Sequence, residues 1–279
     1  MQNVYRLLIW CPDRRGIIAA VTSFLARHGA NILDADQHTD ADDGSFFMRL
    51  EFEGRVDLDA VGWPALAGEY GMEWKLAEAG RKKRMAVLVS KQDHCLQDLL
   101  WRTSIGEWHA EIACVISNHP DCGALVATHG LHYHLLPVTP QNKAQQEQRL
   151  LAILAEAKAD LVVLARYMQV LSAAVTEPWA NRIINIHHSF LPAFSGGRPY
   201  HQAHERGVKL IGATAHYVTP ELDAGPILAQ ATTGVNHRDR IDDLVRKGRD
   251  LERTTLAAAV RAHLADRVLV HAGRTVVFD

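Results

Sequence analysis

The chain has 279 residues, of which 48% are hydrophobic and 22% charged, so it can bury a core in one large domain or two ordinary ones. Its formal net charge of -2 provides no broad basic field, which argues against nucleic acid and membrane surfaces as partners and favours a small molecule. No apolar run approaches the roughly 20 residues that span a bilayer. Because the N-terminus also lacks a secretory pattern and the four cysteines are scattered, we expect a soluble protein with a cytoplasmic location.

The first eighty residues predict a compact unit of helices and strands. Asp13 is a candidate N-cap for a first helix with one apolar stripe, and Gly29 is the expected end of that helix. A second helix is predicted at about 57–70, and strands are predicted at 4–10, 31–38, 45–52 and about 72–76. The resulting βαββαβ order favours helices packed on one face of an antiparallel sheet.

A polar, basic stretch follows at residues 78–84. The run from Arg81 to Arg84 is a possible phosphate-binding patch, but a solvated linker is the commoner role of such a charge run. We therefore place the domain boundary here and predict a first domain at 1–80 and a second at 84–279.

The second domain alternates strands and helices. Strands are predicted at 85–89, 111–117, 132–135, 161–165 and 183–186, and helices at 93–103, 142–157 and 171–175. This alternation predicts an α/β fold with a doubly wound, mostly parallel sheet, in which ligands bind at the carboxyl ends of the strands. Longer strands at 210–218 and 227–234, a helix at about 238–264 and a hairpin formed by 268–270 and 275–278 complete the prediction.

Polar side chains interrupt the apolar strand that begins at Ile183. Asn185 and His187 are two residues apart, so they project from the same face of the strand. Downstream, Thr214, His216 and Val218 also share one strand face, and Asp223 lies in the turn that follows. We expect these groups to meet in the crevice of the sheet.

An amide, an imidazole and a carboxylate can carry out acyl chemistry without a metal. Asn185 and a protonated His187 can donate hydrogen bonds to a developing oxyanion, and Asp223 can accept a proton from an attacking water. A single buried histidine is usually structural, and an aspartate near a glycine is usually a turn former. The combined pattern of Asn-x-His-x-Ser-x-Leu-Pro and a later Gly-x-Thr-x-His-x-Val with Asp-x-Gly is much less expected by chance.

These motifs resemble those of the folate-dependent formyltransferase-like family, which includes glycinamide ribonucleotide and methionyl-tRNA formyltransferases and a hydrolytic branch. The resemblance runs from the linker to the C-terminus and implies that Asn185, His187 and Asp223 are catalytic. It also implies that residues 164–172 are similar to the pterin-binding loop of the family. The substrate-binding residues implied are Met168, Val170, Leu171, His216 and Gly197, where Gly197 replaces the usual Ala. His201 and His204 are further candidates for substrate contact.

The N-terminal unit resembles an ACT domain. The segment Cys11-Pro-Asp-Arg-Arg-Gly-Ile17 matches the Cys-Pro-Asp-x-x-Gly-Ile of that family, and Gly29-Ala-Asn-Ile-Leu-Asp34 follows. The resemblance implies a regulatory and oligomerisation domain, a homo-oligomer and an amino-acid effector such as glycine or methionine. Arg15 stands where the family usually has Pro, which bears on the amino-acid response.

No cofactor or metal is expected. Zinc sites use Cys and His at close, fixed spacing, whereas the strand-mate of His187 is Asn185, a poor zinc ligand. The acidic group between Asp34 and Asp43 lacks the spacing of a calcium loop.

The leading hypothesis is hydrolysis of 10-formyltetrahydrofolate to tetrahydrofolate and formate, which supplies formate for purine synthesis and balances the folate pool. One alternative is formyl transfer to an amine acceptor, and another is a binding protein that senses folate and an amino acid. The loop at 90–96 contains no glycine, unlike the loops that usually cradle a phosphate on a ribonucleotide acceptor. That loop favours hydrolysis. The order of an ACT-like domain before a formyltransferase-like one resembles the layout of the hydrolytic branch, so the resemblance implies hydrolysis too.

Overall fold

The computed structural model describes residues 3–54, 56, 58, 62–192 and 199–279. The chain divides into two compact units, one formed by Met1–Lys82, Ala265–His271 and Val276–Asp279, the other by Lys83–Leu264 and Ala272–Thr275. This division differs from the predicted boundaries, since the second domain was expected to continue to residue 279. The reason is packing, because Leu269 and Phe278 are buried with Leu8 and Phe47 of the first unit.

The first unit has the predicted βαββαβ order. It contains β1 (Val4–Pro12), α1 (Ile17–Arg27), β2 (Asn31–Asp40), β3 (Ser45–Glu53), α2 (Trp63–Tyr70) and β4 (Glu73–Glu78). The strands are arranged in the order β2-β3-β1-β4, and each neighbouring pair is antiparallel. The predicted antiparallel sheet is therefore confirmed.

Two predicted helix starts are wrong. Gly16 rather than Asp13 is the N-cap of α1, and no side chain caps this end. Its φ of 94° lies in the left-handed region, which glycine enters without steric cost. The second helix begins at Trp63 instead of about 57, because Gly62, with φ of 88°, is its N-cap.

The middle of β1 is buried on both faces of the first unit's sheet. Leu7 and Ile9 of β1 point to the face covered by the helices, where they pack with Val21 and Phe24. Leu8, which points the other way, packs with Leu269. The C-terminal segment thus covers the face of the sheet that α1 and α2 do not cover.

The second unit carries the larger sheet. Its elements are β5 (Lys83–Val89), α3 (His94–Ser104), β6 (Ala110–Ser117), α4 (Gly123–Thr128), β7 (Tyr133–Leu135), α5 (Lys143–Glu156), β8 (Leu161–Leu164), α6 (Ala173–Thr176), β9 (Ile183–His187), α7 (Pro199–Glu205), β10 (Leu210–Tyr217), β11 (Ile227–Gly234) and α8 (Ile241–Leu264). The chain ends in the hairpin of β12 (Val268–His271) and β13 (Arg274–Val277). The short helices α4 and α7 were not predicted, and Lys83 and Arg84 belong to β5 rather than to a linker.

The predicted doubly wound sheet is confirmed. Its strand order is β11-β10-β9-β8-β5-β6-β7. The strands β7, β6, β5, β8 and β9 are parallel, and β10 pairs antiparallel with both β9 and β11. The strands β5, β6 and β7 follow one another toward one edge of the sheet. The next strands in the chain, β8 and β9, lie on the opposite side of β5. In such sheets the crevice at the carboxyl ends of the strands, near this reversal, is where ligands bind.

Among the residues that the structure describes, no helix is long and apolar enough to cross a membrane.

Candidate active site

Asn185 and His187 lie at the carboxyl end of β9, on one face of the sheet. β9 pairs antiparallel with β10, so His216 lies directly opposite Asn185 and Thr214 directly opposite His187. This register places an amide and two imidazoles beside one another.

Thr214 holds the chain that leaves β9. Its buried hydroxyl donates to the carbonyl of Ser189 at 2.9 Å. The same oxygen accepts the N–H of Leu191 and the side-chain amide of Gln230, each at 3.0 Å. These bonds use the full hydrogen-bonding capacity of a hydroxyl, so the loop after His187 is held in one position.

Asp223 is brought to β9 by the turn between β10 and β11. The residue has a φ of 55°, an uncommon left-handed conformation for a residue other than glycine. Gly225 permits the turn to lie against β10, because a Cβ at this position would overlap the carbonyl oxygen of Tyr217. The N–H of Tyr217 donates to the carbonyl of Pro226 at 2.9 Å and closes the turn.

The three predicted catalytic side chains meet around His216. Oδ2 of Asp223 lies 3.2 Å from Nδ1 of His187, and Oδ1 of Asp223 lies 3.7 Å from Nε2 of His216. Nδ1 of His216 donates to the carbonyl of Tyr217 at 2.8 Å, so in the neutral ring Nε2 is an acceptor. Nδ2 of Asn185 donates to that Nε2 at 3.2 Å, which leaves the second amide hydrogen for a ligand.

His187 and Asp223 are largely shielded from solvent. His187 is 5% exposed, and among the described residues its Nε2 has no hydrogen-bond partner. A buried polar atom without a partner costs about 1–3 kcal/mol, which is expected where a ligand completes the bond. The hydrogen bond from His187, together with the neighbouring His216, holds the pKa of the Asp223 carboxyl well below its usual range. Asp223 is therefore ionised at neutral pH.

These side chains line a cleft with a volume of about 230 Å³. Met168, Val170 and Leu171, the predicted pterin-binding residues, line the same cleft. Met168 and Val170 are 60% and 52% exposed, so they present apolar surface to whatever enters. The N–H of Met168 donates to Oγ of Ser90 at 2.9 Å, which ties this loop to the end of β5. The substrate contacts themselves stay a prediction.

Of the other residues predicted to contact the substrate, only His216 lines the cleft among the described residues. His216 lines the cleft, where it also orients Asn185. Gly197 lies outside the described residues. His201 lines a second cavity, described below, and His204 is exposed.

Sequence reasoning missed several residues of the cleft. Arg166 and His188 both line it, as does the segment from Thr219 to Leu222. The signal for Arg166 was present, since this charged residue lies two positions after the buried strand β8, at the reversal point of the sheet. His188 directly follows His187, the last residue of β9.

One cluster with metal-ligating side chains occurs in the part of the chain that the structure describes. Ligand atoms of His94, Cys95 and Glu252 lie within 4.8 Å of one another. Glu252 already accepts hydrogen bonds from His94 and Tyr200, at 2.8 and 2.6 Å. Burial raises the pKa of the Cys95 thiol well above its usual value, which disfavours the thiolate that a metal requires. These donors are better explained as a buried hydrogen-bond network.

Comparison with known proteins agrees with this architecture. Residues 83–260 match the formyl transferase family, and residues 5–61 match the ACT domain. A formyltetrahydrofolate deformylase of Synechocystis is 50% identical over 285 residues and covers 100% of both chains, and one of Bacillus subtilis is 47% identical over 98% of this chain and 93% of its own. The crystal structure of a formyltetrahydrofolate deformylase from Pseudomonas syringae superposes with a TM-score of 0.96 at 48% identity, covering 100% of this chain and 95% of that one.

The fold and the site define an ACT domain joined to a catalytic unit of the formyltransferase fold. Within that class, the chain belongs to the formyltetrahydrofolate deformylase family.

Replacing Gly225 with alanine is expected to lower both thermal stability and turnover. The new Cβ would overlap the carbonyl oxygen of Tyr217, so the turn that carries Asp223 must move away from β10. Overpacking of this kind typically costs about 1–3 kcal/mol. The matched control is Gly234→Ala at the end of β11, where an added Cβ meets no atom within 4 Å among those described. Melting temperature and kcat measured on both variants check this, and equal behaviour of the two would contradict it.

Proposed function

We propose that the chain hydrolyses 10-formyltetrahydrofolate to tetrahydrofolate and formate. The observation that carries the proposal is the meeting of Asn185, His187 and Asp223 in one cleft, with Asp223 at 3.2 Å from His187. The cleft also contains the exposed apolar loop around Met168, a suitable surface for a flat pterin ring.

In the proposed reaction, a water oxygen attacks the formyl carbon. The formyl oxygen gains negative charge, which the free amide hydrogen of Asn185 and Nε2–H of cationic His187 stabilise by hydrogen bonds. In that cationic form Nδ1 donates to Asp223, so the carboxylate holds the ring in place. Preorganised donors of this kind are typically worth about 2.7–4 kcal/mol each in the barrier.

Asp223 transfers a proton from the attacking water to the leaving nitrogen. The attacking water becomes strongly acidic as its bond to carbon forms, so even a carboxylate with a lowered pKa can accept its proton. The same low pKa makes protonated Asp223 a good donor to the leaving nitrogen. Proton transfer to that nitrogen and cleavage of the C–N bond release tetrahydrofolate, and formic acid ionises to formate.

We propose that this chemistry uses no metal and no cofactor, because the amide, the imidazole and the carboxylate supply every donor and acceptor it needs. A reducing, cytoplasmic location is part of the proposal, supported by four buried cysteines that form no disulfide. The formate produced would serve purine synthesis and the balance of the folate pool.

The ACT domain is proposed to regulate the activity of the chain and to mediate its association into a homo-oligomer. Its edge strands β2 and β4 each leave one side unpaired within the described sheet, and such edges are available to a second copy of the chain. An amino acid such as glycine or methionine is the proposed effector.

The test is to measure formate released by the purified chain from 10-formyltetrahydrofolate after dialysis against a chelator, with and without a primary amine. We expect tetrahydrofolate and formate in equal amounts and at the same rate in both samples. A formylated amine, with no formate in its absence, would establish a transferase instead, and folate binding without turnover would establish a binding protein. Activity that is lost on chelation and restored by zinc would refute the absence of a metal.

A further inference from the structure

A second cavity, with a volume of about 200 Å³, adjoins the catalytic cleft. It lies among Gln92, Tyr200, Arg249 and Glu252, and it shares two lining residues, Arg166 and His188, with the cleft. These two side chains therefore face both cavities. The reaction described above uses neither of these side chains.

The guanidinium of Arg166 is incompletely hydrogen-bonded. Its side chain is 9% exposed. Nε of Arg166 donates to Oε1 of Gln92 at 3.1 Å and lies 3.4 Å from Oε2 of Glu252. Among the described residues, neither Nη atom has a hydrogen-bond partner. Both Nη atoms are therefore available to an acceptor that enters the cavity.

Glu252 does not supply that acceptor. Oε1 of Glu252 accepts the hydroxyl of Tyr200 at 2.6 Å, and Oε2 accepts Nε2 of His94 at 2.8 Å. Gly248 makes room for this network, because a Cβ there would overlap the Tyr200 hydroxyl. With Glu252 occupied by these partners, the two arginines of the cavity outnumber its one carboxylate. The cavity therefore favours a small anion.

The hydrolysis produces such an anion close by. Formate forms next to the ionised Asp223, whose side chain is only 12% exposed, so the two negative charges repel each other at low dielectric. Arg166 is the only lysine or arginine among the described residues that line the cleft. Burial lowers the pKa of His188 to about 4, so this residue is a neutral imidazole at pH 7 and does not compete for the anion as a cation.

We propose that Arg166, with the cavity behind it, forms a binding site for the product formate, which leaves the reaction centre on this side while the folate occupies the cleft along Met168. The proposal rests on the hydrolytic function described above. The carboxylate oxygens accept hydrogen bonds from the two Nη atoms of Arg166, a paired geometry that guanidinium and carboxylate share.

The experiment titrates ¹³C-labelled sodium formate into the full-length chain and follows its NMR line width, with sodium chloride held at constant ionic strength. The variants are Arg166→Gln and, to avoid leaving Glu252 without its ion-pair partner, Arg166→Gln combined with Glu252→Gln. Arg182→Gln is the matched control, because this arginine contacts the carbonyl of Pro178 and the ring of Trp179 and lines neither cavity among the residues described.

Saturable binding is expected for the wild type and for Arg182→Gln, and the formate Kd should rise about 10- to 100-fold in both Arg166 variants, as expected for charge-assisted hydrogen bonds. Product inhibition of hydrolysis by formate should weaken in parallel. The proposal is overturned if the wild type shows no saturable formate binding or if the Arg166 variants bind formate equally well. A rise only in the KM for the folate would also overturn it, since Arg166 would then hold the substrate's carboxylates. Formate binding by a chain that shows no turnover would reject the hydrolytic function while leaving the anion site intact.

Discussion

Replacing Asp223 with asparagine is expected to lower kcat by about 100- to 10,000-fold, the range that a positioned proton-transfer group contributes. Asparagine keeps the size of the side chain and can still contact Nδ1 of His187, but it can neither accept the water proton nor deliver it to the leaving nitrogen. The KM for 10-formyltetrahydrofolate should change much less than kcat, because the predicted folate contacts lie mainly in the loop around Met168, which lines the cleft. Steady-state formate release gives both constants.

Asp242→Asn is the matched control for this substitution. Asp242 is exposed in the first turn of α8, lines neither cavity among the described residues, and loses the same charge when it is replaced. Its variant should retain most of the wild-type turnover. Equal losses in the two variants would contradict a specific role of the Asp223 carboxylate.

The stability that the wild type gains over the Asp223→Asn variant should decrease as the pH is lowered. The folded chain holds the pKa of Asp223 below its unfolded value, so the carboxylate stabilises the fold above the unfolded pKa of about 4. This stabilisation declines as pH falls toward the folded pKa. The difference in melting temperature between wild type and variant should therefore be largest at neutral pH and should shrink as the solution is acidified below about pH 4.

Substitutions of His187 are expected to separate the roles of its two ring nitrogens. The amide of asparagine lies near the position of Nδ1, which contacts Asp223, whereas the amide of glutamine extends to the position of Nε2, which has no partner among the described residues. If Nε2 donates to the oxyanion, His187→Asn should lose about 100- to 1,000-fold in kcat, the usual effect of removing one such donor. His187→Gln should retain more activity than His187→Asn.

Steady-state formate release also tests the prediction for His187. Circular dichroism and melting temperature show whether both variants fold, and kcat is then compared between them. Higher activity in His187→Asn than in His187→Gln would contradict the assignment of Nε2 as the oxyanion donor, and would place the catalytic role on the contact with Asp223.

Much of the fold could be predicted because its signals are local. The alternation of apolar runs and helical stripes yielded the antiparallel sheet of the first unit and the parallel sheet of the second. Errors arose at ends of elements, where backbone conformation outweighs side-chain preference. Gly16 begins α1 in place of Asp13 because a left-handed residue turns the chain into the helix there.

The candidate site was accessible from sequence for a related reason. Asn185 and His187 interrupt a strand that should be wholly apolar, and strand geometry puts them on one face. Arg166 follows β8 in a comparable position, but nothing in its neighbours along the chain indicates that Gln92 and Glu252 would surround it. Those partners come from the loop before α3 and from the middle of α8.

The amino-acid sequence alone therefore determined the order of strands and helices and the kinds of side chain at the end of β9, since both depend on periodicity and residue chemistry over a few neighbours. Only the tertiary structure decided that Asp223 reaches His187, that the Nη atoms of Arg166 have no hydrogen-bond partner among the described residues, and that the C-terminal segment covers the first sheet. Each of these depends on chain segments that are distant in sequence and are brought together by packing, which no local pattern encodes.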